Sequence, residues 1–222
     1  MSAKSSAKSR AKSRSPFAAV TYAVSEAIAR RRLMAVAGDA LRRMWAASDV
    51  DAHRPKYSEL VNLYRILRAR RPKVVWEFGS GCSTAIIAQA LTDNGGATFY
   101  SLEADARWIE HTRRFIPDWV QLRHAPVSPT DFAGTQVWRH ANLPGEMPDL
   151  IYLDGPSLTP ERRAAVDVLL LEAQLPERFL LIVDNRTAQS LLLRKHLRRR
   201  YDYSEERGLL GRAYCQRLFD FR

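Results

Sequence analysis

The run from Lys73 to Ala88 constrains this chain more than any other. An apolar stretch, Val74-Val75-Trp76-Glu77-Phe78, passes through Gly79 and Gly81 into a helical pattern opened by Ser83 and Thr84. The reading is strand, glycine turn, helix. Neither glycine carries a Cβ, so the backbone there can come close to a ligand. Ser83 or Thr84 is placed to cap the free N–H groups of the first helical turn. The crevice at the carboxyl end of such a strand is where open α/β sheets bind nucleotide-like molecules.

The loop narrows the choice of nucleotide. A dinucleotide fingerprint needs a third glycine three residues after the second, and Thr84 stands there. No Gly-Lys-Ser/Thr run is present for a phosphate loop. Glu77 instead ends the strand, where a carboxylate repels phosphate and attracts a cation. S-adenosylmethionine, with its ammonium and sulfonium groups, fits that preference.

On Glu77, Gly79 and Gly81 the chain resembles the class I S-adenosylmethionine-dependent methyltransferases, whose first motif is Asp/Glu-x-Gly-x-Gly. The resemblance covers residues 58–222. It implies an acidic residue ending the next strand, bonded to the ribose hydroxyls. Thr98-Phe99-Tyr100-Ser101-Leu102-Glu103 supplies Glu103, one helical interval after the loop. The expected cofactor-binding set is Glu77, Gly79, Gly81, Ser83 and Glu103. A glutamate like Glu103, taken alone, reads more readily as a solvated strand end; the preceding glycine loop, one helical interval away, favours the functional reading.

Strands and helices alternate from there. Strands are expected at 73–78, 97–102, 119–124, 149–153 and 178–183, and helices at 83–92, 105–115, 159–174 and 187–200. Residues 126–147, rich in Pro and Gly, read as an irregular insert. The alternation predicts an α/β fold, a Rossmann-like and mostly parallel sheet with helices on both faces. Residues 201–204 and 213–219 read as two strands joined by a loop holding Gly208 and Gly211. The resemblance implies that they form a C-terminal antiparallel hairpin.

Two more strand ends carry acids: Asp154 in Leu153-Asp154-Gly155-Pro156, and Asp184 followed by Asn185. In a parallel sheet these ends face the same side as the glycine loop, so the groups can converge. Two carboxylates and an amide oxygen are hard donors suited to Mg²⁺. The pattern looks like the metal-dependent O-methyltransferases of the catechol and caffeoyl-coenzyme A type. That resemblance implies Asp154, Asp184 and Asn185 as a metal triad, with Asp154 and Asp184 catalytic. It also implies a lysine three residues after the first aspartate, where this chain has Ser157. Serine is a poor base without help. His140 from the insert, the metal with bulk water, or chemistry without a metal are the alternatives. As plain structure, Asp154 and Asp184 would cap turns and helix starts.

Charge separates the chain into two regions. Residues 1–71 hold sixteen Lys/Arg and five Asp/Glu, and the remainder nineteen of each. The basicity is therefore N-terminal, and the net charge of +11 says nothing about the catalytic region. Residues 1–16 form a low-complexity basic tail able to touch nucleic acid or an anionic membrane weakly and without specificity. Residues 17–57 read as a helical N-terminal extension over 17–47 with a linker at 49–55. Docking on the main domain and homodimer formation are both open to that helix. No apolar run is long enough to span a bilayer, and no secretory signal fits.

With only Cys82 and Cys215, a disulfide framework is not indicated, and a cytoplasmic setting is expected. Cys82 in the loop reads as a small filler. The expected activity is methyl transfer to the oxygen of a small-molecule or glycan hydroxyl, with Trp138 and Phe132 shaping the acceptor pocket. The alternatives are a nucleic-acid modifier anchored by the basic tail and a non-catalytic scaffold. The Asn/Asp-Pro-Pro-aromatic motif of base-amine methylation is absent.

Overall fold

The computed structural model describes residues 16–47, 55–156, 164–207 and 215–222. The basic tail, most of the linker, Ser157 and the Gly208/Gly211 loop fall outside these residues. Helix α1 (Pro16–Ala47) is followed by α2 (Tyr57–Arg70), β1 (Val74–Phe78), α3 (Cys82–Asp93), β2 (Thr98–Glu103), α4 (Ala106–Arg113) and β3 (Gln121–His124). Then come β4 (Val127–Phe132), β5 (Thr135–His140), β6 (Leu150–Leu153), α5 (Asp167–Leu171), β7 (Leu180–Asp184), α6 (Thr187–His196), β8 (Tyr201–Arg207) and β9 (Cys215–Phe221).

Seven strands form one sheet in the order β3-β2-β1-β6-β7-β9-β8. The first five are parallel, and β9 pairs antiparallel with both β7 and β8. Order reverses between β1 and β6. Their carboxyl ends therefore stand side by side at the switch point, where this class of sheet opens a crevice.

The central strands read as unbroken apolar runs because both faces are covered. Trp76, Phe78, Ile151, Leu153, Leu181 and Val183 pack on one face. Val75, Leu150, Tyr152, Leu180 and Ile182 pack on the other, against Leu63 and Leu67 of α2 and Ile87 and Leu91 of α3. The two sets alternate along each strand, as the pleat requires.

Helix α1 bends at Ala37 (φ −138°, ψ 32°), beside Gly38. Leu33, Ala37, Leu41 and Met44 pack on Ala85 and Ile86 of α3 and on Phe115. Glu26 of α1 caps α2, its carboxylate accepting from the N–H groups of Tyr57 (2.7 Å) and Ser58 (3.3 Å). A carboxylate at a helix N-terminus meets both the free N–H groups and the positive end of the dipole.

Two expectations are corrected. The insert is no irregular loop: β4 and β5 form an antiparallel hairpin with Phe132 opposite Thr135. Its two-residue turn, Ala133 (φ 51°) and Gly134 (φ 75°), has the mirror-image geometry favoured in tight hairpins. The helix expected over 159–174 is confined to α5 among the described residues. Ala165 forms an isolated β-bridge with Trp138 there. The N–H of Trp138 donates to the Ala164 carbonyl and that of Val166 to the Trp138 carbonyl. The buried Gln189 amide bonds both the N–H (2.7 Å) and the carbonyl (2.9 Å) of Ala165. Those bonds satisfy the backbone groups that a helix would have used.

Candidate active site

At the switch point a cleft of about 540 Å³ opens between the loops after β1, β2, β6 and β7. Gly79, Ser80, Gly81, Cys82 and Ser83 line it together with Glu103, Asp154, Asp184 and Asn185. The four strand-end segments converge. Met44 of α1, Lys56, Glu59 and Leu60 at the start of α2, and Trp108 and His111 of α4 close its sides.

The glycines serve different ends. Gly79 (φ 93°) abuts the loop after β6: a Cβ built on it would lie 2.7 Å from the Gly155 nitrogen and 2.9 Å from the Gly155 Cα. The reciprocal Cβ on Gly155 would meet Gly79 just as closely. Two glycines thus let the loop after β1 and the loop carrying Asp154 touch backbone to backbone. The Gly155 N–H donates to the Phe78 carbonyl (2.5 Å) and that of Gly79 to Leu102 (2.8 Å). Gly81 (φ 153°) has open space where a Cβ would stand, which suits close approach by a ligand.

Glu77 is fully buried and is not among the residues lining the cleft. Its carboxylate accepts from the hydroxyls of Ser83 (2.5 Å), Thr84 (2.7 Å) and Ser101 (2.7 Å). Burial pushes its pKa up to about 7 against the pull of these donors. Here Glu77 ties β1 to β2 and to the start of α3. Thr84 completes the knot, its hydroxyl accepting from the Gly81 N–H at 2.9 Å.

Glu103 does line the cleft. One oxygen accepts from the N–H (2.7 Å) and hydroxyl (3.1 Å) of Ser80, and the other from the N–H of Asp105 (2.9 Å). A carboxylate has about four acceptor positions, so capacity remains for hydroxyls of a ligand. Cys82 is no reactive thiol, since burial pushes its pKa up to about 11.

Asp154 follows β6 and Asp184 ends β7, and Asn185 takes a left-handed conformation (φ 39°). Burial raises Asp154, and the neighbouring Asp184 charge raises it further. Burial also raises Asp184, opposed by the Lys56 charge and by polar contact with Gln216 and Tyr152. The Oδ1 atom of Asp184 is buried and makes no hydrogen bond. Arg186 braces the turn, donating to the carbonyls of Asp154 (2.7 Å) and Pro156 (2.6 Å).

The sequence reading missed two residues. Glu59 is buried, and burial together with the Asp184 charge pushes its pKa up to about 8. Lys56 Nζ donates to both Glu59 oxygens (3.0 and 3.1 Å). Burial would lower the Lys56 pKa, but Glu59, Asp184 and Asp154 together hold it above its usual value. The Lys56/Glu59 spacing, one helical turn, reads on a page as an ordinary surface pair. Only the tertiary fold brings it to the strand ends.

His140 lies buried on β5, not in a loop. Its Nδ1 pairs with Asp167 at 2.7 Å, and its ring packs on Phe78 at 4.8 Å. It is not among the residues lining the cleft, and neither are Trp138 and Phe132.

Among the described residues, no group of three His, Cys, Asp or Glu side chains forms a metal-binding cluster. The triad read from the sequence counts an asparagine among its donors. An unsatisfied carboxylate oxygen on Asp184, and an Asp154 raised by burial and by the Asp184 charge, are features a hard cation would relieve. Asp154, Asp184 and Asn185 thus fit a divalent ion.

No family model and no curated protein sequence matches the chain. Solved structures do. An O-methyltransferase from Bacillus cereus in complex with SAH superposes at a TM-score of 0.59 and 14% identity, over 91% of this chain and 99% of that one. The SAH-bound methyltransferase PaMTH1 of Podospora anserina gives 0.57 and 15%, over 83% and 88%. A putative caffeoyl-CoA O-methyltransferase from Staphylococcus aureus gives 0.56 and 11%, over 90% and 99%. At these identities the likeness is one of fold: a Rossmann-like methyltransferase fold closed by an antiparallel hairpin. No helix among the described residues is long and apolar enough to cross a membrane.

Proposed function

We propose that the chain is an S-adenosylmethionine-dependent methyltransferase acting on the hydroxyl oxygen of a small molecule or glycan. One observation carries this reading: Glu103, hydrogen-bonded to the glycine loop, lines a single cleft together with Glu59, Asp154 and Asp184. Glu103 offers its remaining acceptor positions to the ribose hydroxyls. The open side of Gly81 admits the cofactor backbone. Trp108, Met44 and Leu60 supply apolar surface, and the carboxylates balance the ammonium and sulfonium charges.

The reaction is a direct displacement. The acceptor oxygen forms a bond to the methyl carbon as the carbon–sulfur bond breaks, and the hydroxyl proton leaves to a base. Glu59, Asp154 and Asp184, all raised toward neutrality, suit that role. Lys56 limits their mutual repulsion, its charge drawing all three back toward lower pKa. A divalent ion held by Asp154, Asp184 and Asn185 would lower the pKa of the acceptor hydroxyl. The rest of the work is alignment of oxygen, methyl and sulfur in line.

The test is transfer of an isotopically labelled methyl group to a panel of catechol, phenol and sugar hydroxyls, with and without Mg²⁺. Asp184→Asn should lower the rate by about a hundredfold or more while leaving the fold intact. Full activity in that variant, or transfer to amines alone, would refute the reading.

A further inference from the structure

A second pocket, of about 80 Å³, lies outside the cleft where α1, α2 and β8 meet. Ser58 and Asn62, 3% and 8% exposed, are among the residues lining it. The Ser58 hydroxyl and the Asn62 Nδ2 are buried and have no hydrogen-bond partner. Neither is explained by helix capping, because Glu26 already accepts the Ser58 N–H. Asn62 Oδ1 accepts from Arg65 Nη1 at 3.4 Å, which leaves the amide nitrogen as the free donor. Arg32, Arg65, Arg207 and Glu206 also line it. Arg207 also pairs with Glu205.

Buried donors without acceptors are costly, and native structures rarely keep them. Two on residues of one pocket, whose lining also holds three arginines against Glu206, make a donor-rich site with net positive charge. Guanidinium forks match the oxygens of phosphoryl and sulfuryl groups. We propose that this pocket binds a tetrahedral oxyanion, either free phosphate or the phosphoryl group of a small ester whose remainder stays in solvent. Such an anion would join α1, α2 and the C-terminal hairpin. It would also fix the first turn of α2, where Ser58 faces the pocket and Glu59 the cleft.

The test is calorimetric titration of the full chain with inorganic phosphate, and separately with glycerol 3-phosphate, at ionic strength held constant with chloride. Saturable binding at one site is expected. Arg65→Gln and Ser58→Ala should each weaken it, the former by about tenfold, whereas Arg113→Gln, on the exposed face of α4, should not. Circular dichroism confirms that the variants fold, and Ser58→Ala removes only an unbonded hydroxyl. Tighter binding of the ester would assign a carried phosphoryl group, and the reverse order would assign free phosphate. No saturable binding of either anion overturns the proposal. So does equal binding by wild type, Arg65→Gln and Ser58→Ala.

Discussion

Replacing Gly79 with alanine tests the contact on which the cleft is built. The new Cβ would lie 2.7 Å from the Gly155 nitrogen, 2.9 Å from its Cα and 3.1 Å from the Asp154 carbonyl carbon. All three are backbone atoms, so no rotamer change relieves the clash, and the loops after β1 and β6 must part by several tenths of an ångström. Overpacking of this kind costs about 1–3 kcal/mol. Holding alanine at φ 93° adds about 1–3 kcal/mol of backbone strain. The expected loss is therefore about 2–6 kcal/mol, or roughly 5–20 °C in Tm for a chain of this size.

Gly81→Ala is the control. It carries the positive-φ strain but meets no atom within 4 Å, so it should lose about 1–3 kcal/mol. Urea unfolding at neutral pH, followed by tryptophan fluorescence and circular dichroism, gives both values. A Gly79→Ala variant no less stable than Gly81→Ala would refute the backbone contact, and with it the placement of Asp154 beside the glycine loop.

Two further outcomes follow from the buried carboxyls. Glu77 has a folded pKa of about 7, above its unfolded value, so the folded state retains a proton that the unfolded chain releases. Stability from this group is complete at acid pH and is lost as pH rises from the unfolded value through about 7, by about 3 kcal/mol in all. Glu77→Gln should flatten that part of the stability-versus-pH curve measured by urea unfolding, and an unchanged slope would sink the assignment. Lys56→Met removes the cation that restrains Glu59, Asp154 and Asp184. The acidic limb of the pH–rate profile should then move to higher pH, whereas a purely structural lysine would lower the rate at every pH alike.

The frame of the fold was legible because its signals are local. Gly79 and Gly81 after an apolar run, Glu103 one helical interval later, and acids ending two more apolar runs locate four strand ends. The β4–β5 hairpin was not legible. Pro129 sits inside one strand, and the turn is Ala133-Gly134 in place of the Asn-Gly or Asp-Gly that announces a mirror-image turn. Lys56 and Glu59 escaped because nothing in their neighbourhood sets them apart from a solvated helix start. Gly79 stood out for its missing Cβ, and the structure sets the Gly155 backbone where that Cβ would stand. Likewise the partners of Glu77 are three hydroxyls of its own fold. His140 looked like a loop residue because Asp167, which holds it, lies on a separate element and is brought close only by packing.

The central claim, that the cleft binds S-adenosylmethionine with Glu103 on the ribose, is tested most directly by calorimetric titration with S-adenosylhomocysteine, with and without Mg²⁺. Wild type should bind at one site, and Glu103→Ala should bind about 10–100-fold more weakly, the loss of one or two hydrogen bonds to a charged group. No binding by the wild type in either condition, or an affinity untouched by Glu103→Ala, would contradict the account.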